Sequence, residues 1–439
     1  MRGPGAVGRD CDASTASAER CGVRPFIQPK EIHMGSLKRL TATALLAAAA
    51  LAQQAYAQQT IKVGSINPYS GPMALYGTEV GRGYELAVER INAAGGVLGR
   101  KIDLVRGDAA TPQQGIATVE QLATKDKVDM FVGTYASAVS NATSDAAARY
   151  NKLYWETNAL AADLTDRGLP NFVRASPSSA HFSAGTVDTV RELIAPALKK
   201  DLKDIKVWIE HEDSIYGSSI AKEQKRLFDL AGVKVVGMGS HSSKSIDLND
   251  TVLRAKQTNP DVLIQTGYVP DGNLLLRTAR DQGFKPPAML WVGTGDTAET
   301  LESLGAASIE GLLIIGYTRI DVPESFGPGA RAYLDAYRAK YKMEPIALQG
   351  LAAYVGMQML FEAIQSAGST DLDKVRAAAA KMDKPVGTYA NGYGTKFDQN
   401  FQNQRVFTTT MQWQGGKLYS VYPKAAVSPG VTLKSLARN

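Results

Sequence analysis

From residue 58 onward, short apolar runs alternate with segments whose apolar residues recur every three or four positions. Ile61-Lys62-Val63-Gly64-Ser65-Ile66 predicts a strand. Thr78 to Ala94 predicts a helix, because Val80, Tyr84, Val88 and Ile91 keep the 3.6-residue period and Gly95-Gly96 stops it. Strands are expected at 101–106, 129–132, 153–155 and 172–174, with helices at 112–124 and 138–150 between them. The pattern restarts after Pro177. Helices at 180–200, 217–231, 247–258 and 271–282 each lead into a strand, at 206–209, 233–237, 261–265 and 288–292. A third region adds a strand at 311–316 and helices at 327–341, 346–367 and 372–380. Near the end, 406–413 and 418–421 flank Gln414-Gly415-Gly416-Lys417 and read as an antiparallel hairpin. Strand followed by helix, repeated, predicts right-handed βαβ units and parallel sheets. The fold class is therefore α/β, with two doubly wound lobes and a cleft where ligands sit at strand ends beside helix N-termini.

The leading stretch is different in kind. Lys38-Arg39 precedes an uncharged Leu/Ala/Thr run from Leu40 to Ala52, and Ala55-Tyr56-Ala57 is a small-x-small sequence. Residues 34–57 thus read as a secretory signal peptide, with Met34 as the start and Gln58 as the first mature residue. Residues 1–33 show no periodicity and read as an upstream extension of that start. No later apolar run reaches a membrane-spanning length, so no anchor is expected.

Charge narrows the function classes. The 439 residues carry a formal charge of +6, half of it in residues 1–57. The remaining +3 implies no basic face for nucleic acid. Both cysteines, Cys11 and Cys21, precede residue 57, which excludes disulfides, thiolate metal sites and a thiol nucleophile from the main body. His181, His211 and His241 form no ligand pair and read as ordinary polar or core residues. The tetrapeptide Glu210-His211-Glu212-Asp213 reads as solvated, because neighbours on a strand face opposite sides. There is no GxSxG elbow and no phosphate-binding GxxxxGK[ST] loop. Val292-Gly293-Thr294-Gly295-Asp296-Thr297 begins like a dinucleotide loop but has Ala298 in place of the third glycine. No catalytic residue, metal or cofactor is expected. An α/β enzyme would need a convergent nucleophile or acid–base pair, and a cytoplasmic regulator on this fold would lack a leader and carry a DNA-binding helix pair.

Candidate chemistry gathers at strand ends. Ser70-Gly71-Pro72 follows the first strand, and Thr134-Tyr135-Ala136-Ser137 leads into a helix, offering a hydroxyl beside a positive helix end. Trp155-Glu156-Thr157-Asn158 ends the adjacent strand. In the second lobe, Tyr216 and Tyr268 stand at strand ends, where tyrosines cover an apolar ligand and hydrogen-bond its polar end.

At these residues the chain resembles the periplasmic substrate-binding proteins of the branched-chain amino acid (Leu/Ile/Val) ABC-transporter family, with the type I fold. The matching strings are Ser70-Gly71-Pro72-x-x-x-Tyr76-Gly77, Ile91-Asn92-Ala93-Ala94-Gly95-Gly96-Val97-Leu98-Gly99 and Asp163-Leu164-Thr165-x-Arg167-Gly168. Tyr216-Gly217, Leu276-Arg277-x-Ala279-x-x-x-Gly283 and Glu310-Gly311-Leu312 follow in family order. The resemblance implies two lobes joined by three crossovers: 58–176 plus 312–384, and 177–311 plus 385–425, with 426–439 as a tail. Hinges are expected near Ser176, Gly311 and Pro385. It implies an α-carboxylate site at Ser137 and the Asn158 backbone, with Leu160 at the family's hydroxyl position. Tyr76, Tyr135, Tyr216 and Tyr268 complete the cleft. The family's acid for the ligand ammonium falls near Thr294, which is neutral, so Asp296 or Glu156 would have to replace it. Otherwise the ligand is an amide, an aromatic acid or another small carboxylate. A monomeric periplasmic receptor for one small molecule is expected, with an ABC permease as its partner and no nucleic acid.

Overall fold

The computed structural model describes residues 60–436. The expected leader 34–57 and the stretch 1–33 lie outside the described residues. The predicted strands divide between two sheets. The first holds β1 (Ile61–Asn67), β2 (Ile102–Asp108), β3 (Met130–Gly133), β4 (Tyr154–Glu156) and β5 (Phe172–Arg174), in the order β2-β1-β3-β4-β5. All its ladders are parallel. β3 is buried throughout, as a strand covered on both faces must be, while edge strand β2 exposes Asp103, Arg106 and Asp108.

The second sheet holds β6 (Lys206–Glu212), β7 (Lys234–His241), β8 (Val262–Thr266), β9 (Ala288–Val292) and β10 (Leu313–Gly316). A short ladder of β11 (Asp383–Lys384) with β12 (Thr395–Lys396) follows. The hairpin β13 (Thr409–Gln414) and β14 (Lys417–Tyr422) then completes the second sheet, in the order β14-β13-β10-β9-β8-β6-β7. Helix ends obey local rules. Thr111 accepts the Gln114 N–H and Pro112 follows it to open helix Pro112–Thr124. Gly232, at φ 72°, ends helix Ile215–Ala231 in the left-handed conformation that glycine adopts without strain.

Each sheet is covered on both faces, which is the doubly wound arrangement expected. Helices Ala74–Ala93 and Gln349–Ala367 bury Tyr84, Leu351 and Leu360 against β1 and β3 on one face of the first sheet. Val119 and Val139 cover its other face together with Phe131. In the second lobe, Phe182, Ile220 and Phe228 pack one side of the sheet. Val252, Leu275 and Leu276 pack the other.

Two boundaries move. The segment 312–384 was expected to lie wholly in the first lobe, yet β10 pairs with β9 and β13 inside the second sheet. Gly311, expected as a hinge, precedes that strand and donates to Trp413 O. The segment 385–425 was expected in the second lobe, yet Tyr389, Tyr393, Phe397 and Val406 are buried in the first-lobe core. Pro385 is therefore no crossover. The chain passes between lobes after β5, after β10 and again just before β13, the first of these beside Ser176. The tail is docked rather than loose, since the Gln412 side chain bonds both the N–H and the carbonyl of Lys434.

Candidate functional site

The strand ends of the two sheets face one another, and an aromatic chain joins them. Tyr76 stacks on Tyr135 at 4.4 Å between ring centroids. Tyr135 meets Tyr268 edge-on at 6.0 Å, and Tyr268 lies 5.3 Å from Tyr216. The first pair belongs to the first lobe and the second pair to the second. Beside them is a small cavity of about 20 Å³, walled by Tyr135, Asn158, Leu160, Tyr216 and Tyr268 together with Gly293, Tyr317 and Gln349. Space of that size holds about one water. The lobes are thus closed on each other, as the first-lobe Ala162 N–H donating to Ser219 Oγ of the second lobe also shows (2.9 Å).

Each wall is fixed by its backbone. Tyr216 sits in the first turn of helix Ile215–Ala231, after the N-cap Ser214, and donates its hydroxyl to Val292 O at 3.1 Å. Gly293 next to that carbonyl has φ 70°, and a side chain there would collide with the Tyr216 hydroxyl. Tyr317 directly follows β10 and donates to Asn158 O at 2.5 Å, a bond from the second sheet's strand end to the first lobe. Asn158 Oδ1 and Gln349 Oε1, both in the wall, are buried and make no hydrogen bond. Burial pushes Tyr76, Tyr135, Tyr216 and Tyr268 well above their ordinary values, so they remain hydroxyl donors.

The other expected residues are placed differently. Ser137 Oγ accepts the N–H groups of Leu160 at 3.2 Å and Ala161 at 3.1 Å, so it braces the loop that carries Leu160. Glu156 is fully buried at the end of β4 and does not line the cavity. One oxygen accepts the N–H groups of Thr157, Asn158 and Ala159; the other accepts the Thr134 N–H and the Ser140 hydroxyl. A carboxylate so occupied has no place for a ligand ammonium, which corrects its expected role as a substitute counter-ion. Asp296 is not in the cavity wall but lines an open groove of about 520 Å³ with Arg319, Ile346 and Leu348, and its charge reaches Tyr76 and Tyr135. Its Oδ1 has no hydrogen-bond partner, and burial pushes the carboxyl up to about 6. Thr294 is buried, its hydroxyl is unpartnered, and it does not line the cavity. Tyr317 and Gln349 were not anticipated. Tyr317 carried a usable signal, because it follows a strand as Tyr268 does.

The bracing role of Ser137 is open to measurement. Ser137→Ala leaves two buried N–H groups without an acceptor, and the expected cost is about 1–3 kcal/mol in a urea unfolding series. An unchanged midpoint together with weakened ligand binding would show that the hydroxyl serves the ligand instead.

Two doubly wound lobes closed on a small cavity of tyrosines and amides define a bilobal ligand-binding protein. The chain belongs to the periplasmic binding protein family, whose pattern it matches over residues 60–417. It is 40% identical over 391 residues to the Leu/Ile/Val-binding protein homolog 7 of Brucella suis, covering 89% of this chain and 98% of that one. It is 38% identical to homolog 8 of Brucella abortus over 367 residues, 83% of this chain and 91% of that one. Among solved structures it is similar to the branched-chain amino acid transporter substrate-binding protein LivJ of Streptococcus pneumoniae in complex with isoleucine. The TM-score there is 0.71 at 24% identity, over 83% of this chain and 100% of that chain. It is also similar to an ABC-transporter solute-binding protein of Rhodopseudomonas palustris in complex with p-hydroxybenzoic acid. That TM-score is 0.69 at 23% identity, over 86% and 98%. The fold is therefore that of the type I periplasmic binding proteins.

Proposed function

We propose that the protein is the periplasmic solute receptor of an ABC importer. It is exported behind the leader 34–57, captures one small carboxylate or amino-acid-like molecule between its lobes by hinge closure, and presents it to a membrane permease. No bond is made or broken. The observation that carries this reading is the cavity: four tyrosines and two amides with unsatisfied oxygens, drawn from both lobes and meeting where the sheets end. Opening about the three interlobe passages would enlarge the space to admit a ligand.

The ligand we favour lacks a free α-ammonium. An ammonium in a closed cleft must be paired or hydrogen-bonded, since its desolvation is otherwise costly. Thr294 carries no charge, Glu156 is fully engaged by five donors, and Asp296 borders the neighbouring groove. Tyrosine hydroxyls suit a carboxylate, and their rings suit an aromatic or branched body. The similar solved structures were determined with both kinds, isoleucine and p-hydroxybenzoic acid.

Thermal-shift screening decides between them. A ligand at a hundredfold excess over Kd stabilises by about 2.7 kcal/mol, which is visible as a raised midpoint. Benzoate and p-hydroxybenzoate are expected to raise it, and leucine, isoleucine and valine are not. A shift with leucine that disappears in Asp296→Asn would reverse the assignment and make Asp296 the counter-ion.

A further inference from the structure

Behind Tyr268 stands a buried chain of charged groups that the cavity itself does not use. Glu210 comes from β6, His241 from the end of β7 and Asp271 from the first turn of helix Val269–Asp281. The His241 side chain is 3% exposed and both carboxylates are 0% exposed. Nδ1 of the ring lies 2.9 Å from Glu210 Oε1, and Nε2 lies 3.2 Å from Asp271 Oδ2. Ionised carboxylates only accept, so both ring nitrogens must donate and the ring is an imidazolium. Burial opposes that charge, but the bonds to Asp271 and Glu210 outweigh it and hold the imidazole up to about 9.

The chain continues at both ends. Glu210 Oε2 accepts the Trp208 indole N–H at 3.1 Å. Asp271 Oδ2 also accepts from Gln265 Nε2 at 3.2 Å, and Oδ1 accepts the Tyr268 backbone N–H at 3.0 Å. Glycines make room for the carboxylates: a side chain at Gly239 would collide with Glu210 Oε2, and one at Gly267 with Asp271 Oδ2. The other charged group facing this cluster is Glu212, occupied by Ser214 and the Gly217 N–H, whose charge acts on both Asp271 and Tyr268.

We propose that Asp271 is a positioning residue for ligand binding: it fixes the Tyr268 turn, and the His241–Glu210 pair fixes Asp271 in the ionised, correctly oriented form. This rests on the reading that the Tyr268 cavity takes the ligand. Tyr268 is the ring that touches both Tyr135 and Tyr216, so a turn allowed to move there loosens the second-lobe wall at its centre. Because the imidazolium holds the arrangement, raising the pH through about 9 removes one ring proton and one of the two carboxylate bonds. Tyr268 stays protonated across that window, so its own ionisation does not compete.

The test is residue-resolved amide hydrogen exchange at Tyr268, which needs no ligand, joined to thermal shift with benzoate and with valine. Asp271→Ala is expected to lower the Tyr268 protection factor at least about tenfold, equivalent to about 1.4 kcal/mol. Asp271→Asn keeps an oxygen for that N–H and is expected to restore protection at pH 7. Wild-type protection should fall between pH 8 and 10, while Asp271→Asn and His241→Gln show no such step. Whichever of the two probes binds should lose affinity in Asp271→Ala and regain it in Asp271→Asn. Unchanged Tyr268 protection in Asp271→Ala, or a wild-type profile without the alkaline step, overturns the proposal. If the exchange results hold and neither probe stabilises any form, it is the ligand reading of the cavity that falls.

Discussion

Glu156→Gln is expected to lower the unfolding free energy by about 1–3 kcal/mol for each buried donor it leaves without an acceptor. Five donors converge on this carboxylate: three consecutive backbone N–H groups at 2.8–2.9 Å on one oxygen, and the Thr134 N–H and Ser140 hydroxyl on the other. Glutamine turns one oxygen into an NH₂ group that aims its own hydrogens at these donors. At least one side of the cluster then loses its acceptor, and each buried donor left bare costs about 1–3 kcal/mol. The damage falls on the turn carrying Asn158 and Leu160, so ligand affinity should drop with stability.

The pH dependence has a definite sign. Burial pushes the Glu156 carboxyl up to about 7 from its ordinary 4.5. A raised folded value means that its stabilisation is complete below about pH 4.5 and is lost as the pH rises through about 7. Glu79, also held at about 7 by burial, and Asp296, at about 6, act in the same direction. Wild-type stability should therefore decline from pH 5 to pH 8. The gap to Glu156→Gln should narrow over that interval, because the variant has lost this titration. Urea unfolding at both pH values measures it, and a wild-type stability that does not decline from pH 5 to pH 8 would refute the raised carboxyl.

Much of the fold could be read from local periodicity. Ala288–Val292 and Phe172–Arg174 fall where the apolar runs put them, and helix ends follow their caps. Sheet membership could not be read that way. Nothing within Leu313–Gly316 says that it pairs with β9 instead of returning to the first lobe, because a pairing partner is a long-range fact. The segment 385–407 misled for the same reason: it has little regular structure, and its tyrosines matter only through the core they enter. At the site, Tyr216 and Tyr268 were visible as aromatics at strand ends. The role of Glu156 was not, since its partners are mostly backbone groups that its own turn creates. Glu210, which lies in a tetrapeptide that reads as solvated, and His241, which reads as an ordinary residue, meet across 31 residues of sequence. Only strand pairing reveals that they belong together.

Arg174→Met is expected to cost about 1–3 kcal/mol for each buried acceptor it strands, for a reason related to the loss of Glu156. Arg174 is fully buried at the end of β5. It donates from Nε to Gln402 Oε1 at 2.5 Å, from Nη1 to the carbonyls of Ala161 at 2.7 Å and Ala159 at 3.3 Å, and from Nη2 to Thr165 Oγ1 at 3.0 Å. All four acceptors are neutral, and burial brings the guanidinium down to about 10, still charged at neutral pH. Methionine fills part of the space and supplies none of these donors. Lysine should not rescue it, because a single ammonium cannot reach acceptors spread around a planar fork. The position matters as much as the energy. Gln402, held by Arg174, donates to Ser176 O at 2.9 Å, and Asn403 donates its N–H to Arg174 O. The side chain thus ties the passage after β5 to the chain approaching β13, two of the three connections about which the lobes must open. Loss of the tie should weaken the coupling between closure and the Leu160 loop, so affinity should fall further than in a core variant of equal instability. Leu360→Ala, buried in the first-lobe core, is the matched control. Equal affinities in the two variants at equal loss of stability would show that Arg174 supports the fold without governing how the lobes close.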